Sequence, residues 1–132
     1  MRVHGFASNT EPWRYSEDTQ RIFVEAIELR KSLQPYIIEC AKKVSNEGYT
    51  LMRPLVFDFS DDPEALAQGS EYMFGPKYLV CPVLEAGIST WKVYFPKNAG
   101  GWEDFQTGKH YDGGQYAEIP VTIESIPVFI RK

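Results

Sequence analysis

The sequence predicts an α+β fold in which a long helical stretch and a buried strand precede an antiparallel, β-sandwich-like sheet. Three observations carry this reading. Apolar residues recur at three- and four-residue steps between Ile22 and Val44. Residues 51–59 form an apolar run that breaks abruptly into Ser60, Asp61, Asp62 and Pro63. After Gly75, short β-rich runs alternate with turns rich in Gly, Pro, Asn and Asp.

Taken in order, residues 9–15 read as a loop around Pro12, and Ser16 with Thr19 three residues later makes an imperfect helix cap. Ile22, Ala26, Leu29, Leu33, Tyr36, Ile37, Cys40 and Val44 then lay one apolar stripe on a helix over residues 19–46, with Gly48 as its stop. Pro35 interrupts that helix. Its missing N–H and its ring predict either a kink or two abutting helices with Pro35 in the first turn of the second. Residues 51–59 read as a buried strand, and the acidic cluster at 60–63 ends it and caps a short helix running to Met73. Residues 77–83, 91–95, 102–106, 116–122 and 126–131 are the expected strands of the sheet. This places a boundary near Gly75, between a segment 1–75 and a segment 76–132. Gly100-Gly101 and Gly113-Gly114 read as turns rather than phosphate loops, because neither opens a helix after a strand.

Composition narrows the function classes. With 132 residues, of which 43% are hydrophobic, the chain can bury one ordinary core. A net charge of −4 argues against nucleic acid or an anionic membrane surface as partner, since both require a basic field. Neutral sugars remain compatible. Aromatics make up 14% of the chain and serve equally to fill a β core or to stack on pyranose faces; the core reading is favoured. Cys40 and Cys81 lack metal-ligand spacing, so they imply neither a zinc site nor a disulfide framework, and both read as small buried apolar residues; no metal and no cofactor are expected.

Two ordered motifs point further. Met52-Arg53-Pro54-Leu55 with Asp58, Phe59 and Asp61-Asp62, followed by Glu71-Tyr72-Met73-Phe74-Gly75, resembles the signature near the end of the catalytic barrel in glycoside hydrolase family 31, the retaining α-glucosidases and α-xylosidases. The resemblance extends through Arg2-Val3-His4-Gly5, Glu11-Pro12-Trp13, Leu33-Gln34-Pro35-Tyr36, Leu79-Val80-Cys81-Pro82-Val83, Trp102 to Gly108 and Ile126-Pro127-Val128-Phe129. It implies that residues 1–75 are the C-terminal end of a (β/α)8 barrel, with its last strand, and residues 76–132 the start of the proximal β-sandwich domain. A barrel of about 250 residues cannot fit in this chain, and the family's glycine after the final Val-Phe-x-Arg stretch is absent at Lys132, so truncation at both ends is expected. Glu71 departs from the Gln frequent in the family.

The resemblance also implies where the chemistry lies. The family's nucleophile and acid/base are aspartates ahead of the Arg-x-His element, so no catalytic residue is expected here. His4 matches the histidine that hydrogen-bonds sugar hydroxyls in the −1 subsite, a task suited to an imidazole that donates from one nitrogen and accepts at the other. Trp13 would stand on a loop at the barrel's C-terminal rim and flank the substrate, or else pack that loop onto the following helix. Asp58, Asp61 and Asp62 do not read as a glycosidase pair, which needs two carboxyl groups about 5 Å apart across the scissile bond. Asp58 is assigned to hydrogen bonding at a strand end, and a solvated acidic loop is the prior for all three. His110 reads as a solvent-facing turn residue, and Trp91, Tyr94 and Trp102 as sheet packing rather than a sugar platform.

The expected function is therefore that of a C-terminal fragment of a retaining α-glycosidase, a hydrolase of α-xylosides or α-glucosides, inactive alone. The His-Gly form at His4-Gly5 and the Pro-Trp pair at Pro12-Trp13 tilt the substrate toward xylosides. The expected partners are an α-linked oligosaccharide in the intact enzyme, the missing barrel portion, and further copies of the chain. The alternative is a stand-alone carbohydrate-binding or protein-interaction module.

Overall fold

The computed structural model describes residues 10–132, which divide into two compact units between Lys42 and Lys43. The first unit is helical. A 3-10 turn, Pro12–Arg14, starts on Pro12, whose missing N–H costs nothing at that position, and Glu11 pairs with Arg14 at 3.1 Å. Ser16 caps α1 (Glu17–Ser32), its hydroxyl accepting from the Thr19 amide at 3.3 Å. Glu17 and Asp18 in the first turn and Arg30 and Lys31 in the last complement the helix dipole.

Of the two outcomes open at Pro35, the structure takes abutting helices. α1 closes at Leu33, and α2 (Gln34–Glu47) begins with Pro35 as its second residue, where no intrahelical N–H is required. Gly48 follows α2 at φ +66°, a left-handed conformation that ends the helix as expected. The apolar stripe is only half covered. No residue of α1 is buried and only Cys40 of α2 is, while Ile22, Ala26, Leu33, Tyr36 and Ile37 are half-buried.

The second unit, from Lys43, is built of antiparallel strands: β1 (Met52–Pro54), β2 (Tyr72–Phe74), β3 (Tyr78–Val80), β4 (Thr90–Phe95), β5 (Trp102–Asp104), β6 (His110–Tyr111), β7 (Gln115–Pro120) and β8 (Val128–Arg131). Six form one sheet in the order β1-β2-β3-β8-β5-β6, and β4 and β7 form a separate two-stranded ladder from Thr90↔Pro120 to Phe95↔Gln115. Buried residues from both sheets join in a single core: Met73, Leu79, Val93, Phe95, Trp102, Ile119 and Phe129 lie in one cluster with Leu55 and Phe59. Phe95 stacks on Tyr111 with ring centres 4.6 Å apart and meets Phe129 edge-on at 4.7 Å.

Three local expectations are corrected. The predicted strand over 51–59 stops at Pro54 and gives way to a 3-10 turn, Leu55–Phe57, because Arg53 reaches forward to clasp Asp58 while the Asp58 and Phe59 amides bond back to the Leu55 carbonyl. The helix predicted to reach Met73 is one turn, α3 (Pro63–Leu66); Gln68-Gly69-Ser70 ends it, and Met73 pairs in β2 with Arg53 on one side and Leu79 on the other. His110 is not in a turn but in β6, opposite Glu103. The sheet also runs through Gly75 without a break, since β1, β2 and β3 are consecutive neighbours across it.

Candidate functional site

The expected sugar contact His4, with Arg2, lies outside the described residues. Trp13 sits on the 3-10 turn before α1 and is 73% exposed. A 220 Å³ apolar hollow beside it is lined by Pro12, Tyr15, Thr19, Gln20 and Phe23, with Trp13 itself not on its wall.

In the β unit the acidic residues have separate assignments. Arg53 Nε and Nη2 donate to Asp58 Oδ2 and Oδ1 at 2.9 and 2.6 Å, a two-pronged pair that closes the turn between β1 and Phe59. The Arg53 guanidinium also stacks 4.2 Å above the Tyr49 ring. Asp58 thus makes a structural hydrogen-bonded pair, as read, but at the end of a 3-10 turn rather than of a strand. Asp61 is exposed, as expected of an acidic loop.

Asp62 overturns that expectation, for it is 2% exposed. The Tyr94 hydroxyl donates to its carboxylate at 2.9 Å from either oxygen, and the Lys97 amide donates to Oδ2 at 2.8 Å. Burial pushes the Asp62 carboxyl up, but the hydrogen bonds from Lys97, Tyr94 and Ala65 outweigh it and hold the group below the usual carboxylate range. Tyr94 is raised in turn, first by burial and then by the carboxylate it serves. The result fastens the start of α3 to β4.

Glu71 is the second buried carboxyl, at 4% exposure, and it meets the same residue through a different group: the Tyr94 amide donates to Oε1 at 2.8 Å. Oε2 has no hydrogen-bond partner among the described residues. Burial pushes the Glu71 carboxyl up to about 7, the one amide bond offsetting only part of that. Around this pair, Tyr116 donates to Glu64 Oε2 at 2.8 Å, accepts from Gln68 Nε2 at 2.8 Å, and carries Lys92 Nζ 4.2 Å above its ring.

Sequence reasoning missed both buried acids. Asp62 hides inside an Asp-Asp-Pro run that looks like an ordinary helix start. Glu71 had a usable signal: it falls two residues before Met73, so once residues 71–74 are read as extended, alternation puts Glu71 on the inward face beside a core residue. The aromatics behave as sheet packing. Trp102 and Tyr94 are buried, with Trp102 Nε1 donating to the Pro96 carbonyl at 2.9 Å, and Trp91 packs partly buried against the core. His110 is exposed, with Nε2 3.5 Å from Asp112. Among the described residues no three His, Cys, Asp or Glu side chains group as a metal site, and Cys40 and Cys81 are free and buried.

Comparison with known proteins places this geometry. The family model described as the glycosyl hydrolase family 31 C-terminal domain matches residues 48–132. That match opens ahead of β1. An α-xylosidase of Saccharolobus solfataricus is 41% identical over 131 residues, 99% of this chain and 18% of that protein. Alpha-glucosidase 2 of Bacillus thermoamyloliquefaciens is 33% identical over 92% of this chain and 15% of its own length. Among solved structures, a family 31 α-xylosidase from a soil metagenome, complexed with xylose, superposes with a TM-score of 0.89 at 43% identity, covering 95% of this chain and 18% of that one. The chain spans about a fifth or less of the length of these relatives.

Proposed function

Since the chain belongs to glycoside hydrolase family 31, we propose that it serves as the C-terminal region of a retaining α-glycosidase acting on α-xylosides or α-glucosides, and that on its own it is inactive. The carrying observation is that 99% of the chain aligns at 41% identity with an α-xylosidase, yet accounts for only 18% of that protein. In such an enzyme one carboxylate attacks the anomeric carbon while a second protonates the leaving oxygen, and water then cleaves the glycosyl-enzyme with net retention. The buried and turn-forming carboxylates have other work: Asp58 neutralises Arg53, Asp62 anchors Tyr94, Glu71 is buried on the Tyr94 amide, and Asp104 holds the amides of Gln106 and Thr107 in a turn. Both catalytic carboxylates are thus assigned to sequence outside these residues.

Within that enzyme His4 hydrogen-bonds the sugar in the −1 subsite, and Trp13, large and exposed, flanks the substrate. Residues ahead of the β unit form part of the barrel's end, and the half-covered stripe of α1 and α2 is the face that the rest of the barrel buries. The xyloside reading is favoured by the His-Gly and Pro-Trp pairs and by the identity to the α-xylosidase. The test is turnover of aryl α-xyloside and aryl α-glucoside by the purified chain. Rates equal to buffer blanks are expected; turnover that vanishes on Asp58→Ala or Asp61→Ala would place the chemistry in this chain and overturn the proposal.

A further inference from the structure

Glu71 stands where the β unit meets a shallow groove, and its setting differs from that of every other acid in the unit. Its carboxyl is almost fully buried, one oxygen is held only by the Tyr94 amide, and the other faces no donor among the described residues. The groups that sense its charge are neutral, and the nearby cation Lys92 on β4 carries its ammonium over the Tyr116 ring. Cys81, after β3, and Tyr116, on β7, both sense the Glu71 charge, and Tyr72 flanks it on β2. Burial raises the Cys81 thiol and the Tyr72 hydroxyl, and the Glu64 carboxylate that Tyr116 serves holds its hydroxyl protonated. Beyond Tyr116 stands Glu64 on α3, another anion.

One wall of the adjacent groove is Met52, Arg53 and Pro54, and the other is Gln68 to Tyr72, so Glu71 lines it while its carboxyl points inward. Arg53, the cation on the far wall, is engaged by both oxygens of Asp58 and so does not neutralise Glu71 in place. A carboxylate in the interior without a cation is expensive, and water is one side-chain rotation away.

We propose that Glu71 is an acid-side lock of the β unit: protonated, it stays packed on β4 and holds the loop 67–71 down, and on ionising it turns out into the groove of Met52–Pro54 and releases the Tyr94 amide. Oε1 of protonated Glu71 still accepts from the Tyr94 amide, and the step from locked to open transfers the carboxyl proton to solvent. The folded group titrates near 7 against 4.5 for a free side chain. Because the folded value is the higher, the lock's contribution is complete below the free-chain value, falls as pH rises between the two, and is gone above 7. The folded-to-unfolded ratio should then drop on the order of 100-fold from pH 4 to pH 8 on account of this group.

The experiment has two arms on the full chain. Carbon-13 NMR of the Glu71 carboxyl should give a titration midpoint well above those of the exposed glutamates, accompanied by loss of Tyr94 amide protection after correction for the intrinsic pH dependence of exchange. Urea unfolding of Glu71→Gln, which keeps shape and cannot ionise, should lose the fall in stability between pH 5 and pH 8 that the parent chain shows. A Glu71 midpoint in the ordinary carboxylate range, or Tyr94 protection independent of pH, overturns the proposal even if the Gln variant fails to fold.

Discussion

Tyr94 binds two carboxyl groups by two chemically different donors, its hydroxyl to Asp62 and its backbone amide to Glu71. The two acids therefore respond to pH in opposite senses. Asp62 is held below the usual range, so its stabilisation is present at neutral pH and lost as acid protonates it; Glu71 is held above, so its contribution is present in acid and lost toward neutrality. Asp62→Ala strands a buried hydroxyl and the Lys97 amide, and should cost about 2 to 4 kcal/mol at neutral pH. Tyr94→Phe should cost less, and the double variant should show a coupling of about 1 kcal/mol or more in urea unfolding; strict additivity would mean that the bond contributes nothing. At the proposed −1 subsite, His4→Ala in a glycosidase carrying this segment should lower kcat/KM by a factor equivalent to roughly 1 to 3 kcal/mol without unfolding it. Unchanged kinetics would remove His4 from the subsite. At this scale a structural role for Asp58 was legible from its place where the apolar run breaks into acidic residues, though its partner Arg53 was not, whereas the burial of Asp62 depends on Tyr94, 32 residues away in sequence.

At the scale of elements, local chemistry decided what could be read. The split at Pro35, the cap at Ser16 and the stop at Gly48 follow from dihedral and donor constraints that act within one or two turns. The shortened β1 and the one-turn α3 do not, because the Arg53–Asp58 clasp and the pairing of β2 between β1 and β3 are tertiary. β6 went unread because two residues are too few for a period to show. Glycines separate the two kinds of constraint. Gly48 and Gly101 both have positive φ, but a Cβ at Gly48 meets open space whereas one at Gly101 comes within 2.5 Å of the His110 ring and 2.6 Å of the Tyr111 carbonyl. Gly48→Ala should cost about 1 kcal/mol, from backbone strain alone. Gly101→Ala should cost clearly more and shift β6 off β5, read as a larger fall in Tm and as chemical-shift changes at His110 and Trp102. Equal losses at the two sites would contradict the packing account.

At the scale of the whole molecule, the β unit closes its own core, and the helical unit does not. α1 and α2 carry Ile22, Ala26, Leu33, Tyr36 and Ile37 half-covered and Val24, Leu29 and Ile38 in the open, a face of the kind that monomers seldom leave in water. Leu55, by contrast, is fully buried, while Met52, Val56 and Phe57 near it stay exposed. Self-association through the helical face is the expected consequence, read as a concentration-dependent mass in size-exclusion chromatography with light scattering and weakened by Ile37→Glu; a sharp monomer across micromolar concentrations would show the stripe to be tolerated in solution. The fold class was legible because periodicity and turn chemistry act locally along the chain, and the family because its motifs are contiguous in sequence; the buried acids were not, since Asp62 and Glu71 are both set by the distant Tyr94. The central claim, that this chain supplies the C-terminal region of an α-glycosidase, is tested most directly by replacing the matching 131-residue stretch of the Saccharolobus solfataricus α-xylosidase with this sequence and measuring kcat/KM on aryl α-xyloside. The account predicts a folded chimera that hydrolyses the xyloside; a folded chimera with no turnover would contradict it.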